Sequence, residues 1–187
     1  PATLLVLLLA GLLAGCGGGS RPTGIRTAET PADDVAEYQP RWRSHTVDST
    51  QYRKVFLAGT IDMGRSADWQ AALVARFRDS IGGRWLFFNP RRREFHASPA
   101  EMEYQVAWEL AHLEAADLIV MNLLGDSRSP ISLLEMGLYA RSGKLFVACS
   151  PDYYRYDNVR ITCRRYGVPL YDSLTALLDD LPQQSDE

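Results

Sequence analysis

At 187 residues, with 46% hydrophobic and 23% charged residues, the chain has the balance of one ordinary globular domain with extra segments, which excludes a wholly disordered or collagen-like protein. A formal net charge of −3 supplies no overall positive field, so nucleic acid is not an expected partner; the basic clusters NPRRREF and ITCRRYG are local. His45 and His96 have no ligand companions at useful spacing, so neither a metal nor another cofactor is expected.

The apolar run LLVLLLAGLLAGC, Leu4 to Cys16, is too short to span a bilayer comfortably and ends in small residues. It has the layout of an export signal, and Leu13-Ala14-Gly15-Cys16 resembles the bacterial lipobox, in which the cysteine carries lipid. Residues 1–16 therefore read as a lipoprotein-type signal, with Cys16 the lipidation site and a membrane-anchored, periplasm-facing protein as the consequence. Residues 17–52 mix Gly, Pro, Ser, Thr and charges with little apolar periodicity, the composition of a flexible tether.

Residues 53–187 read as the folded domain. KVFLAGT (54–60) is a short strand, and SADWQAALVARFRDSIGG follows as a helix with a Ser cap and Trp69, Leu73, Phe77 and Ile81 at helical spacing. RWLFFNP (84–90) is a second strand stopped by Pro90, and SPAEMEYQVAWELAHLEAA is a helix with proline at its start. DLIVMNL (117–123), KLFVACS (144–150) and VPLY (168–171) complete about five strands. Continuous apolar strands joined by helices imply an α/β fold with a doubly wound parallel sheet. If exported, Cys149 and Cys163 either pair or remain as two buried thiols.

Between the third and fourth strands, SRSPISLLEMGLYA offers Ser129 as N-cap and Pro130 at the first helical position. A 3.6-residue period places Ile131, Leu134 and Leu138 on one stripe with Glu135, a carboxylate among residues that want the core. Burying it alone is costly, so its head either reaches water or an arginine, or faces a pocket. Ligands of such sheets bind beyond the carboxyl ends of the strands. Those ends hold Gly59, Thr60, Ile61 and Asp62; Asn89, Arg91 and Arg92; and the segment ending at Ser129. Arg91 and Arg92 either grip a phosphate or form a solvated basic turn. Glu109 shares a helical stripe with Gln105 and His112, which is either a solvated face or a proton donor's setting. Asp117, opening its strand, reads mainly as a structural cap.

Taken together, FLAGTI, NPRR, QVAWELAHLEAADLIVMNL, SPISLLEMGLYARSGK and YDNV (156–159) resemble the nucleoside 2-deoxyribosyltransferase-like superfamily over roughly residues 54–175. The resemblance implies a flavodoxin-like fold, usually in a homo-oligomer, acting at N-glycosidic bonds of nucleosides or nucleotides. It implies that Glu135 in EMGLYA attacks the anomeric carbon, as carboxylates of retaining glycosidases do; the leaving base then needs a proton or a hydrogen bond, for which Glu109 and Asp117 are the candidates. Asn158 matches a position that reaches a neighbouring subunit's site, and otherwise forms a turn. Family members commonly hold an aspartate six residues before the nucleophile; here the residue is Ser129, which marks a divergent branch. A nucleotide- or sugar-binding lipoprotein without turnover and an NAD glycohydrolase are the rival functions.

Overall fold

The computed structural model describes residues 34–181 apart from 95 and 97, and these belong to one compact unit. Cys16 and the expected signal lie outside the described residues.

Among the described residues seven strands form one sheet: β1 (Val35–Gln39), β2 (Trp42–Arg43), β3 (Arg53–Gly59), β4 (Trp85–Phe88), β5 (Leu118–Leu123), β6 (Leu145–Cys149) and β7 (Leu170–Tyr171). Their spatial order is β2-β1-β4-β3-β5-β6-β7. All pairings are parallel except that of β2 on β1. The five strands from β4 to β7 have the flavodoxin-like order. The expected tether is corrected here: residues 35–39 and 42–43 extend the sheet to seven strands. Charged and turn residues such as Asp34, Pro40 and Arg41 masked a five-residue strand whose Val35, Ala36 and Tyr38 are buried against β4.

Five α-helices among the described residues cover the sheet: α1 (Trp69–Ser80), α2 (Pro99–Ala115), α3 (Pro130–Tyr139), α4 (Tyr156–Tyr166) and α5 (Leu174–Asp180). Strand alternation divides the core into two layers. On one face Val55 and Leu57 of β3 pack with Trp69, Leu73 and Phe77 of α1 and Leu177 and Leu178 of α5. On the other, Phe56 and Ala58 pack with Leu113 of α2, Met136 of α3, and Val159 and Cys163 of α4. Ser98 caps α2, accepting from the Glu101 N–H, with Pro99 at its first position. For α1 the cap is Asp68, two residues later than the expected Ser66. Cys149 and Cys163 are buried free thiols. Burial pushes them up to about 12 and about 11, so both stay protonated.

The chain runs from β3 outward to β4 and returns to β5 on the other side of β3, so the order reverses between β3 and β5. There the backbones nearly touch. A Cβ on Gly59 would overlap the Asn122 carbonyl oxygen and lie 2.7 Å from the Asn122 nitrogen, and its φ of +125° suits only glycine.

Candidate active site at the β3–β5 crevice

The helix α3 turns the expected stripe over. Ile131, Leu134 and Leu138 are 60%, 61% and 57% exposed, while Ser132, Glu135 and Met136 are buried. Glu135 sits at the buried edge of that row, about 40° of helical turn from Ile131 and about 60° from Leu138. At 7% exposure, its carboxyl has no hydrogen bond or ion pair among the described residues. Burial first, and then the charge of Glu109, push it up to about 8. A carboxyl in that state holds its proton at neutral pH while the crevice is empty.

Glu109 on α2 is the second carboxyl. Burial raises its pKa, opposed by the hydrogen bond from Gln105 and by the charge of Arg92. Gln105 Nε2 donates to Glu109 at 2.7 Å and to the Pro90 carbonyl at 3.0 Å. Arg92 Nε donates to Gln105 Oε1 at 2.5 Å, and its Nη1 pairs with Glu101 at 2.6 Å. The chain Glu101, Arg92, Gln105, Glu109 fixes the second carboxyl in place. The solvated-face alternative for Gln105, Glu109 and His112 does not hold: the three are part-buried, and His112 stacks on Trp108 at 4.0 Å. Glu109 has partners that favour its charged form, whereas Glu135 has none among the described residues.

Beyond the end of β3, hydroxyl groups connect the loops. Leu124 N donates to Thr60 Oγ1 at 3.1 Å, the Thr60 and Ser129 hydroxyls lie 2.7 Å apart, those of Ser129 and Ser127 2.8 Å apart, and Ser127 Oγ donates to Asp62 Oδ1 at 2.9 Å. Each hydroxyl has one proton. Ser127 gives its proton to Asp62, so Ser129 donates to Ser127 and Thr60 to Ser129. The order of donation runs from the Leu124 amide to the Asp62 carboxylate. This network explains why Ser129 does not cap α3 with its side chain: it sits in the left-handed region at φ 40°, its hydroxyl committed to Thr60 and Ser127. Asp62 and Met63 are also left-handed, at φ 50° and 55°. Three non-glycine residues in this sparsely populated region thus lie together at the crevice.

Other expected site residues serve the scaffold. Arg91 is buried; it bonds Gln70, the Ser66 hydroxyl and the Ala67 carbonyl, and pairs with Asp68 at 3.4 Å. Both arginines of NPRR are thus engaged with protein groups, and neither is a solvated basic turn. Asn89 binds Glu37 of β1 at 2.7 Å and accepts from the Arg91 amide. Ile61 contributes its carbonyl to Gly64 N and to the Ser66 hydroxyl. Asp117 lies at the opposite end of the sheet, bonding the Lys54 amide at 2.8 Å and its ammonium at 3.5 Å. Asn158 is exposed on α4, in a cleft of about 310 Å³ against Leu133, Met136 and Gly137 of α3. Ser127 and Gln105 are the groups that sequence reasoning left without a role; the run of hydroxyls in GDSRS was the visible signal for Ser127.

A family model described as nucleoside 2-deoxyribosyltransferase like matches residues 52–153. That span includes the crevice, the hydroxyl network and both carboxyls, and stops short of Asn158. No curated protein matches the chain. The chain belongs to the nucleoside 2-deoxyribosyltransferase-like family.

Proposed function

We propose that this domain cleaves or transfers the N-glycosidic bond of a nucleoside or nucleotide, with Glu135 as nucleophile and Glu109 as the partner that manages the leaving base's proton. One observation supports the reading most: a buried carboxyl with no hydrogen bond or ion pair among the described residues, acted on by the charge of Glu109, a part-buried carboxyl held by a four-residue chain. A purely structural glutamate would be given an arginine or a ring of donors. Departure of the base builds positive charge at the anomeric carbon. That charge favours the ionised form of Glu135, which can then close on the carbon to give a glycosyl ester. Attack by water gives hydrolysis, and attack by a second base gives transfer. The proton that Glu135 gives up is available through the carboxyl pair for the departing base. Asp62, at the end of the hydroxyl network, supplies a carboxylate at the crevice although position 129 is a serine. Anchorage by lipid at Cys16 belongs to the same proposal, supported by the LAGC sequence.

Ser129 also favours a second reading, a nucleotide- or sugar-binding protein without turnover, because a hydroxyl stands where the family commonly has a recognising carboxylate. The test is free-base release from a panel of ribo- and deoxyribonucleosides, their monophosphates and NAD, using wild type and Glu135→Gln. The expected outcome is release by wild type and a loss of roughly a thousandfold or more in the variant, with circular dichroism unchanged. Binding without release supports the second reading, release from NAD alone identifies a glycohydrolase of that cofactor, and an active variant overturns the role of Glu135.

A further inference from the structure

The turn that joins β1 to β2 carries an arginine where the backbone disfavours one. Pro40 and Arg41 lie between the paired Gln39 and Trp42, and Arg41 is left-handed at φ 63°. Glycine or asparagine suits that position best, and an arginine there costs backbone energy. Its contacts show what the side chain does. Arg41 Nη2 lies 2.7 Å from Glu101 Oε1, and Arg41 Nε donates to Glu101 Oε2 at 3.4 Å. Its guanidinium also lies 4.1 Å from the centre of the Tyr104 ring. Both partners belong to α2.

Glu101 is thereby shared. Its Oε2 also takes Arg92 Nη1 at 2.6 Å, and Arg41 first, then Arg92, holds the carboxyl below its ordinary range. From Arg92 the bonds continue through Gln105 to Glu109. A second contact ties the hairpin to the same loop, because the Arg93 guanidinium lies 3.9 Å over the Trp42 ring. The hairpin thus grips Arg92 twice, through its neighbour in sequence and through its carboxylate partner.

Arg92 serves two carboxylates, and its charge favours the ionised form of Glu109. With Arg41 on Glu101, part of that charge is left for Glu109. Without Arg41, Arg92 alone would neutralise Glu101, and Gln105 would lose its fixed partner. Across the seam on α3, Glu135 is the opposing charge. His112, one turn along α2, is pushed down by burial and stays neutral at pH 7.

We propose that Arg41 is a positioning residue for the glycosidic reaction: through Glu101, Arg92 and Gln105 it holds Glu109 in place and lends it positive charge. The β1–β2 hairpin, which precedes the family-matched span, is then part of the reaction apparatus as well as of the sheet. The consequence for turnover rests on the proposed N-glycosidic reading. The titration of Glu109 does not, and it needs no substrate.

The test is that titration, read by carbon-13 NMR of the full chain labelled at glutamate carboxyls, with Glu109→Gln identifying the signal. Arg41→Gln should raise the midpoint by about half a pH unit or more, and Glu101→Gln, which leaves Arg92 to Glu109 alone, should lower it. Opposite shifts from two substitutions that break one ion pair do not come from a merely structural contact. Arg41→Lys keeps the charge and should raise the midpoint less than Arg41→Gln. In a chain already carrying Glu101→Gln, Arg41→Gln should change nothing further, because Arg41 acts through Glu101. An unmoved midpoint in Arg41→Gln, shifts of one sign in the two single variants, or additive shifts in the double variant each overturn the proposal. Where Arg41→Gln disturbs the far-ultraviolet spectrum, Arg41→Lys and Glu101→Gln carry the same comparison of sign. If the chain releases free base, Arg41→Gln should shift the pH profile of kcat in the same direction with KM little changed, and an unmoved profile overturns the positioning role. Expected NMR shifts in a chain that releases no base count against the N-glycosidic reading and leave the hold of Arg41 on Glu109 standing.

Discussion

Glu135 ties stability to pH as well as to chemistry. Its carboxyl is pushed up to about 8 in the folded chain from an ordinary value of 4.5. Between those values the unfolded chain has released a proton that the folded chain keeps, so stability falls as pH rises. The contribution is fully present below about pH 4.5 and is lost by about pH 8. At 7% exposure, solvent screening is slight, and the loss is on the order of a few kcal/mol. Glu135→Gln carries no charge to bury. Its melting temperature should stay near that of wild type at pH 4.5 and exceed it at pH 8. Melting curves at half-unit pH steps decide this, and a difference that stays constant over the range would show that the carboxyl ionises freely in the folded chain. Asp62 and Ser129 belong to the same scale: their backbone strain persists because the hydroxyl chain holds both ends, Ser129 through Thr60 and Asp62 through Ser127.

Elements place these groups by close approach. β3 and β5 meet at Gly59 and Asn122, and the crevice opens just beyond. Gly59→Ala combines a disallowed φ with overlap against backbone, so it should lower unfolding free energy by about 3 kcal/mol or more. Urea denaturation measures it; a loss under about 1 kcal/mol would mean that the strands can part cheaply. Apolar runs bounded by turn residues made the strands from β3 to β7 legible in the sequence, because fully buried parallel strands are apolar on both faces. The start of α2 was legible for a similarly local reason, the proline at position 99. The orientation of α3 was not. Periodicity finds a ridge of Ile131, Leu134 and Leu138 but carries no information on what the ridge touches, and here the apolar row faces outward while Glu135 faces in. Glu135 and Glu109 were visible as candidates, whereas the difference in their surroundings follows from Gln105 and Arg92, which only the tertiary structure brings to Glu109 and not to Glu135. The left-handed Ser129 likewise depends on Thr60, 69 residues away.

At the scale of the whole molecule, the sheet extends farther than apolar periodicity indicates. β1 lies against β4 over four paired residues, from Val35 with Trp85 to Tyr38 with Phe88, and Glu37 reaches Asn89 at 2.7 Å. Without β1, the Trp85–Phe88 segment, WLFF, would become an open sheet edge of large apolar residues, the kind of edge that recruits other chains. The buried Val35 and Tyr38 side chains would be lost as well. At roughly 1.5–3 kcal/mol for a fully buried apolar side chain, their removal takes a large share of the ~5–15 kcal/mol that holds a domain together. A chain starting at residue 53 should therefore aggregate on expression or refolding, whereas a chain starting at residue 32 should refold reversibly. The comparison needs only soluble yield, light scattering during refolding and a far-ultraviolet spectrum. A soluble, cooperatively melting chain from residue 53 would return residues 35–52 to the role of tether; aggregation of that chain alone makes β1 a structural part of the scaffold that carries the crevice.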